Sequence, residues 1–131
     1  AGALRLRTGL GRGDLKLLFN VNAEFASPLD TRPIALRARS AVFSSLADAL
    51  CVSGPLTGTA VQTSDLAQVK AAVGATPVLA NTGVTIDNVA EIFQIADGCV
   101  IGSHLKRGGD TWAPVDPERV LRFMERVRSL R

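Results

Sequence analysis

Aromatic residues and histidine are scarce in this sequence, which has no tyrosine, one tryptophan and one histidine among 131 residues. Nucleic-acid modules interleave aromatic residues with a basic patch, so their scarcity argues against nucleic-acid binding. A single histidine, with no H-x-H, H-E-x-x-H or C-x-x-C spacing, argues against a self-contained metal site. We therefore expect no nucleic-acid partner, no metal and no other cofactor.

Long apolar runs are also missing. The longest, such as Leu15 to Val21, fall far short of the ~20 residues that a membrane span needs, and no long apolar stretch follows a basic N-terminal region. We therefore expect a cytoplasmic protein without an integral membrane segment. With 47% hydrophobic and 21% charged residues, the composition is that of one globular domain.

The two cysteines and the clustered arginines favour ordinary structural roles. Cys51 and Cys99 each lie in a short apolar run, where cysteine packs as a small hydrophobic residue. With another strand between them they lie about 9 to 10 Å apart, beyond disulfide reach, so we expect both to be reduced and buried. The last helical segment holds several arginines, which we expect on a solvated outer face. They are Arg119, Arg122, Arg126, Arg128 and Arg131.

Four short, almost continuously apolar segments predict parallel strands that are covered by helices. They are Lys16 to Asn22, Ala49 to Ser53, Pro77 to Asn81 and Gly98 to Gly102. Each is followed by a loop rich in glycine, asparagine, threonine or serine and then by a helical pattern.

The helical patterns also predict where each helix begins. The first begins near Thr31 with Pro33 in its first turn, the second has Thr63 or Ser64 as its N-cap, and the third begins at Thr85. The last opens with Asp116 as a cap and Pro117 at the first helical position. The expected buried positions are Ile34, Ala38, Ala41, Val42, Leu46, Leu66, Val69, Val73, Val89, Ile92, Phe93, Ala96, Val120, Met124 and Val127.

Strand and helix alternation with short connections predicts a parallel α/β sheet with right-handed crossovers. Two architectures fit, an open four-stranded sheet or half of a (β/α)₈ TIM barrel. Residues 1–14 have the pattern of the tail of a preceding helix and a connector, and residues 15–131 hold four consecutive βα units. We therefore expect one domain, the C-terminal half of the barrel with its N-terminal half absent.

A half-barrel leaves strand edges unpaired and exposes the inward face of its sheet. The strand residues expected near water are Leu18, Val21, Val52, Leu79 and Val100. Accordingly, a second copy of the chain, or a chain that carries the missing N-terminal half, is an expected partner.

The loops after the third and fourth strands predict a phosphate or other anion site. In parallel α/β folds, ligands bind beyond the carboxyl ends of the strands, and glycine beside a helix start lets main-chain N–H groups reach an anion. The alternative is ordinary turn and cap chemistry. The candidate ligand residues are Asn20, Asn22, Ser53, Gly54, Thr57, Gly58, Asn81, Thr82, Gly83, Gly102, Ser103 and Lys106.

Two residues are candidates for acid/base catalysis. Glu24 follows the first strand, where a carboxylate faces the barrel mouth as a general base. His104 is the only side chain that titrates near neutral pH unperturbed, although a surface or cap role is the alternative. Asp48 and Asp97 precede the second and fourth strands, so we expect them in helix-to-strand turns at the opposite end.

Five ordered blocks resemble the BtpA family, which includes a cyanobacterial photosystem I biogenesis factor and enteric SgcQ proteins. The blocks are N-V-N before A-S-P-L-D-T-R-P, A-D-A-L-C-V-S-G-P-L-T-G, P-V-L-A-N-T-G-V-T-I-D-N, A-D-G-C-V-I-G-S-H-L-K-R-G-G and P-V-D-P-E-R-V. The resemblance implies a (β/α)₈ barrel of about twice this length. It also implies a ligand site at Ser53 to Gly58, Asn81 to Thr85 and Gly102 to Lys106.

One short segment departs from the pattern of that family. Members usually read V-K-H-A after the first strand, where this chain has Ala23-Glu24-Phe25-Ala26. The loss of a lysine and a histidine favours binding without turnover. Two functions stay open: binding or processing of a sugar-phosphate-like or nucleoside-phosphate-like molecule, and a non-catalytic biogenesis or scaffold role for a membrane complex such as photosystem I. For the second role the resemblance also implies peripheral membrane association.

Overall fold

The computed structural model describes residues 2–27 and 29–130, so the expectations for Ala1 and Arg131 lie outside it. Two short 3₁₀ turns, Ser103–Leu105 and Arg107–Gly109, precede the last helix. The other elements in chain order are α1 (Gly2–Gly9), β1 (Leu18–Asn20), α2 (Ile34–Ser45), β2 (Ala49–Val52), α3 (Thr63–Val73), β3 (Val78–Ala80), α4 (Val89–Ile92), β4 (Gly98–Cys99) and α5 (Pro117–Arg128).

The described residues form a four-stranded parallel sheet in the order β1-β2-β3-β4. Asn20 pairs with Cys51, Cys51 with Leu79, and Ala80 with Cys99. The prediction of a parallel α/β fold is confirmed, although each strand is shorter than its apolar segment. Because β3 lies between the strands that carry Cys51 and Cys99, the two cysteines are not bonded to each other. Cys51 is buried as expected, whereas Cys99 is only partly buried.

One face of the sheet packs against the helices. Leu50 and Val52 of β2 and Val78 and Ala80 of β3 are buried in one hydrophobic cluster with residues of α2, α3, α4 and α5. Fully burying a large aliphatic side chain contributes about 1.5 to 3 kcal/mol, so this cluster is the main source of the fold's stability. Its helix members are Ile34, Ala38, Leu66, Val69, Val89, Ile92, Phe123 and Val127.

The opposite face carries the alternate strand residues, because successive side chains in a strand point to opposite sides. As expected for this face, Leu18 is 49% and Val100 is 44% exposed. The expectation for Val52 was wrong, since it has no exposed surface, and Val21 also packs against the helix cluster. Because side chains alternate along a strand, both residues lie on the helix side of the sheet.

Several helix boundaries differ from their predictions. Pro33 is the N-cap of α2 (ψ 148°) and not a residue of its first turn. The residue before a proline avoids the helical region, which disfavours a helix that begins near Thr31. Helix α3 begins at Thr63 with Gln62 as its N-cap. Leu46, expected on the buried face of α2, is its C-cap at φ 49° and is 55% exposed.

Helix α4 is a single turn that begins at Val89 rather than at Thr85. The Asn88 side chain accepts a hydrogen bond from the Thr85 N–H and donates one to the Gly83 carbonyl. Asparagine bonds of this kind compete with helix hydrogen bonds, so residues 85 to 88 stay in a turn.

The predicted start of α5 is confirmed. Asp116 caps the helix by accepting hydrogen bonds from the Glu118 and Arg119 N–H groups, and Pro117 is the first helical residue. The buried residues of α5 are Phe123 and Val127, whereas Met124 is exposed. The helix is therefore rotated relative to the predicted packing.

Asp48 and Asp97 lie in helix-to-strand turns before β2 and β4, as predicted. Asp48 accepts from the Leu17 N–H at 2.8 Å and pairs with Arg7, and Asp97 accepts from the Val78 N–H at 2.7 Å and pairs with Lys70. The Leu17 N–H, with Lys16 and Arg7, lowers the pKa of Asp48. The carboxyl ends of the strands, where parallel α/β folds bind their ligands, lie at the opposite edge of the sheet.

Candidate functional site

A cleft of about 420 Å³ lies at the carboxyl end of the sheet. The loops after all four strands and the first turn of α5 contribute to its lining. Small-molecule sites have volumes of about 300 to 1,000 Å³, so the cleft has the size of a site for a small metabolite.

The cleft brings together many of the residues that the sequence singles out. Both candidates for catalysis, Glu24 and His104, line it. The candidate ligand residues that also line it are Thr57, Gly58, Asn81, Thr82, Gly83, Gly102 and Ser103.

The remaining candidates lie elsewhere. Asn22, Ser53 and Gly54 line a separate cleft of about 210 Å³, and Asn20 lines neither. The Lys106 ammonium group donates to the Thr111 carbonyl and does not line the larger cleft. The ammonium group that the sequence assigns to the anion site is therefore hydrogen-bonded to the main chain instead.

A hydrogen-bond network ties the strand ends together below the cleft. The buried Ser53 hydroxyl accepts from the side-chain amides of Asn20 at 2.8 Å and Asn81 at 2.9 Å. The Asn22 amide makes two hydrogen bonds of 2.8 Å to the main chain of Ser53. Three adjacent strands are thus held in place by groups that the sequence suggests as ligands.

Two glycines permit close packing of the loops beside the cleft. A Cβ atom at Gly83, which has φ +62°, would lie 2.2 Å from the Ala60 nitrogen. One at Gly54 would lie 2.3 Å from the Thr59 carbonyl oxygen. Thr82 lies between these loops, accepting from the Gly54 N–H and donating to the Thr59 carbonyl. By contrast, Gly102 has open space above it, so a ligand can approach its main chain.

Arg119 is a residue of the cleft that sequence reasoning missed. Its Nε donates to the His104 carbonyl at 2.6 Å, and its guanidinium lies against the cleft. Sequence reasoning assigned the α5 arginines to a solvated face. However, Arg119, Phe123 and Val127 are spaced by four residues and share one face of the helix. This spacing could have indicated that Arg119 lies on the inner face of α5.

The contacts of His104 favour its neutral imidazole form. Its Nε2 accepts from the Ile86 N–H at 3.3 Å, and its ring meets Phe123 edge to face. Burial and the nearby Arg119 lower the pKa of His104, while Asp87 opposes the shift. Protonation of His104 in the folded protein therefore costs free energy.

This environment predicts a loss of stability in mild acid. Because the pKa of folded His104 is lowered, its contribution to stability is present above the ordinary histidine pKa of about 6.5 and is lost as the pH falls through the lowered value. We expect the free energy of unfolding, measured with urea, to fall between pH 7.5 and pH 5. The lowered aspartate pKa values act below this range.

His104→Gln is the matched variant, since glutamine can accept from the Ile86 N–H but does not titrate. Its free energy of unfolding should change less than that of the wild type between the same two pH values. Equal pH dependence in both proteins would show that His104 is not the responsible group.

Metal-ligand groups and membrane spans are both missing from the described residues. Within residues 2–27 and 29–130, no group of three or more His, Cys, Asp or Glu side chains is placed to hold a metal ion. No helix in the same residues is long and apolar enough to cross a membrane.

The fold and the cleft define a parallel α/β protein with a metabolite-sized cleft at the carboxyl ends of its strands. The family model for the BtpA family matches residues 1–129. The chain belongs to the BtpA family, as its ordered sequence blocks predict.

Two relatives show how much of the family's length is present. The chain is 44% identical over 128 residues to the putative sgc region protein SgcQ of Escherichia coli (strain K12), a match that covers 98% of this chain and 48% of that protein. It is 34% identical over 122 residues to the photosystem I biogenesis protein BtpA of Synechocystis sp. (strain PCC 6803), which covers 93% and 42% respectively. The chain therefore spans about half the length of the relatives it matches.

Proposed function

We propose that the chain binds a phosphorylated small molecule, of the size of a sugar phosphate or nucleoside phosphate, in the cleft at the ends of β3 and β4. We further propose that its sheet is the C-terminal half of a (β/α)₈ barrel. Each proposal rests on its own observation.

Strand order supports the half-barrel. In doubly wound sheets the strand order reverses and helices cover both faces, whereas barrel strands follow one another in sequence with helices outside. The order here is β1-β2-β3-β4, and the hydrophobic cluster joins the helices to one face. A barrel of eight such units is about twice as long as this chain, as the relatives are.

The observation that carries the phosphate proposal is that open main chain and a cation meet at one end of the cleft. Gly102 is exposed with free space above it, and the Ser103 hydroxyl lies within 2.7 Å of the Thr111 hydroxyl. Arg119 lines the same cleft. Among the described residues, its Nη2 atom has one weak contact, of 3.5 Å, with the His104 ring. Guanidinium groups bind phosphate oxygens through two parallel N–H donors.

Titration of the chain with inorganic phosphate, followed by amide chemical shifts, tests the site. We expect the shifts to cluster at Gly83, Gly102 and Ser103. Arg119→Gln should weaken phosphate binding by about 10- to 100-fold, the usual value of a charge-assisted hydrogen bond. If the shifting amides lie away from these two loops, the phosphate proposal fails.

Arg122→Gln is the matched control, because Arg122 lies one turn further along α5 and pairs with Glu118 on the exposed surface. It removes the same charge without changing the cleft, so phosphate affinity should stay within about twofold of the wild type. Equal weakening by both variants would mean that the arginines act through general charge alone.

A further inference from the structure

Glu24 lines the cleft with a carboxylate that has few hydrogen-bond donors. Its Oε2 atom is enclosed by protein, and no described residue donates a hydrogen bond to it. Its Oε1 atom has one long contact, with the Thr57 hydroxyl at 3.4 Å. Buried carboxylate oxygens are costly without donors and in native proteins are nearly always satisfied. Because Oε2 has almost no accessible surface, a molecule in the cleft would meet this carboxylate at Oε1.

The position of Glu24 separates it from the cation of the cleft. Glu24 follows β1, and the Gly102 loop follows β4, at the opposite edge of the sheet. Three strand spacings separate these edges by roughly 14 Å. Both groups line the same cleft, so from the strand order we place the carboxylate toward the β1 edge and the Arg119 guanidinium toward the β4 edge.

This polarity decides the orientation of a phosphorylated ligand. Its phosphate is repelled by Glu24 and attracted by Arg119, so the non-phosphate end faces the carboxylate. Two neighbouring hydroxyl groups match that end well, because one can donate to the Oε1 atom of Glu24 while the other bonds with the Thr57 hydroxyl. The Thr57 hydroxyl, which also lines the cleft, adds a group that can both donate and accept.

We infer that Glu24 and Thr57 form a second subsite that binds the vicinal hydroxyls of a phosphorylated polyol. The inference rests on the proposed phosphate site and assigns Glu24 a role in specificity. It selects sugar phosphates with a free 1,2-diol over analogues that lack one hydroxyl.

Calorimetric titration with three probes tests this subsite in the full chain: inorganic phosphate, ribose 5-phosphate and 2-deoxyribose 5-phosphate. The two sugars differ in one hydroxyl of the diol. We expect the wild type to bind ribose 5-phosphate about 10- to 100-fold more tightly than the deoxy sugar, as for loss of a hydrogen bond to a charged group. In Glu24→Ala this preference should disappear, and inorganic phosphate should bind at least as tightly because a repelling charge is gone.

The outcomes separate the two proposals. If the wild type binds none of the three probes, the proposed phosphate site is wrong. If phosphate binds but the two sugars bind equally, or if their difference persists in Glu24→Ala, the phosphate site stands and the diol subsite is wrong. Glu24→Gln provides a second variant, which should keep a reduced preference because its amide retains one acceptor. Melting temperatures of both variants at or above that of the wild type would show that they fold.

Discussion

Sedimentation velocity at low micromolar concentration is expected to find the chain in assemblies larger than its 13.8 kDa monomer. Within the described residues, β1 and β4 each pair on one side only, and exposed strand edges favour pairing with another chain. The sheet face opposite the helices exposes Leu18 and Val100, and α1 has no buried residue. Burying one such side chain fully contributes about 1.5 to 3 kcal/mol, so a second copy or an N-terminal half-barrel would stabilise the fold.

A pair of variants tests whether this face mediates the association. Leu18→Glu places a charge on the exposed sheet face and should shift the protein toward monomers. Leu121→Glu is the control, because Leu121 is 61% exposed on α5, away from that face. A cooperatively folded monomer of the wild type at every concentration would contradict both the association and the half-barrel.

Gly83→Ala is expected to lower the free energy of unfolding by about 2 to 5 kcal/mol. The left-handed backbone conformation, with φ +62°, costs an L-residue about 1 to 2 kcal/mol, and overpacking costs typically a further 1 to 3 kcal/mol. The overpacking arises because the added Cβ would lie 2.2 Å from the Ala60 nitrogen, which cannot move as a flexible side chain does. Urea denaturation measures the loss.

Gly58→Ala separates the two contributions. Gly58 has φ +82° but open space around its Cα, so the substitution should cost about 1 to 2 kcal/mol from backbone strain alone. If Gly83→Ala costs no more than Gly58→Ala, the contact between the Gly83 and Ala60 loops is not tight in solution.

One part of the candidate site could be predicted from the order of the strands alone. Asn81, Gly83, Gly102 and Ser103 follow neighbouring strands, and the carboxyl ends of parallel strands meet at one edge. Lys106 and Arg119 were not predictable in this way. Which cation reaches the cleft depends on the path of the chain between Gly102 and α5. Along this path the Lys106 ammonium group binds the Thr111 carbonyl, and the rotation of α5 places Arg119 at the cleft.

The sequence also did not show why glycine is present at a given strand end. Gly83 and Gly102 have the same placement after a strand, but only Gly102 faces open space, while Gly83 packs against Ala60 from a different loop. Likewise, the Asn20 and Ser53 side chains are polar groups at strand ends that the fold joins to each other. Contacts between residues far apart in the chain decide which polar group is left for a ligand.

The sequence by itself determined the four βα units, their parallel pairing, the cap at Asp116 and the family, because apolar periodicity, caps and ordered blocks are local properties of the chain. Only the tertiary structure decided which of the polar groups at the strand ends hold the loops together and which line the cleft. It also decided that Glu24 keeps an oxygen without a donor beside that cleft. Burial and hydrogen bonding depend on the packing of all four loops at once, and no local pattern encodes that packing.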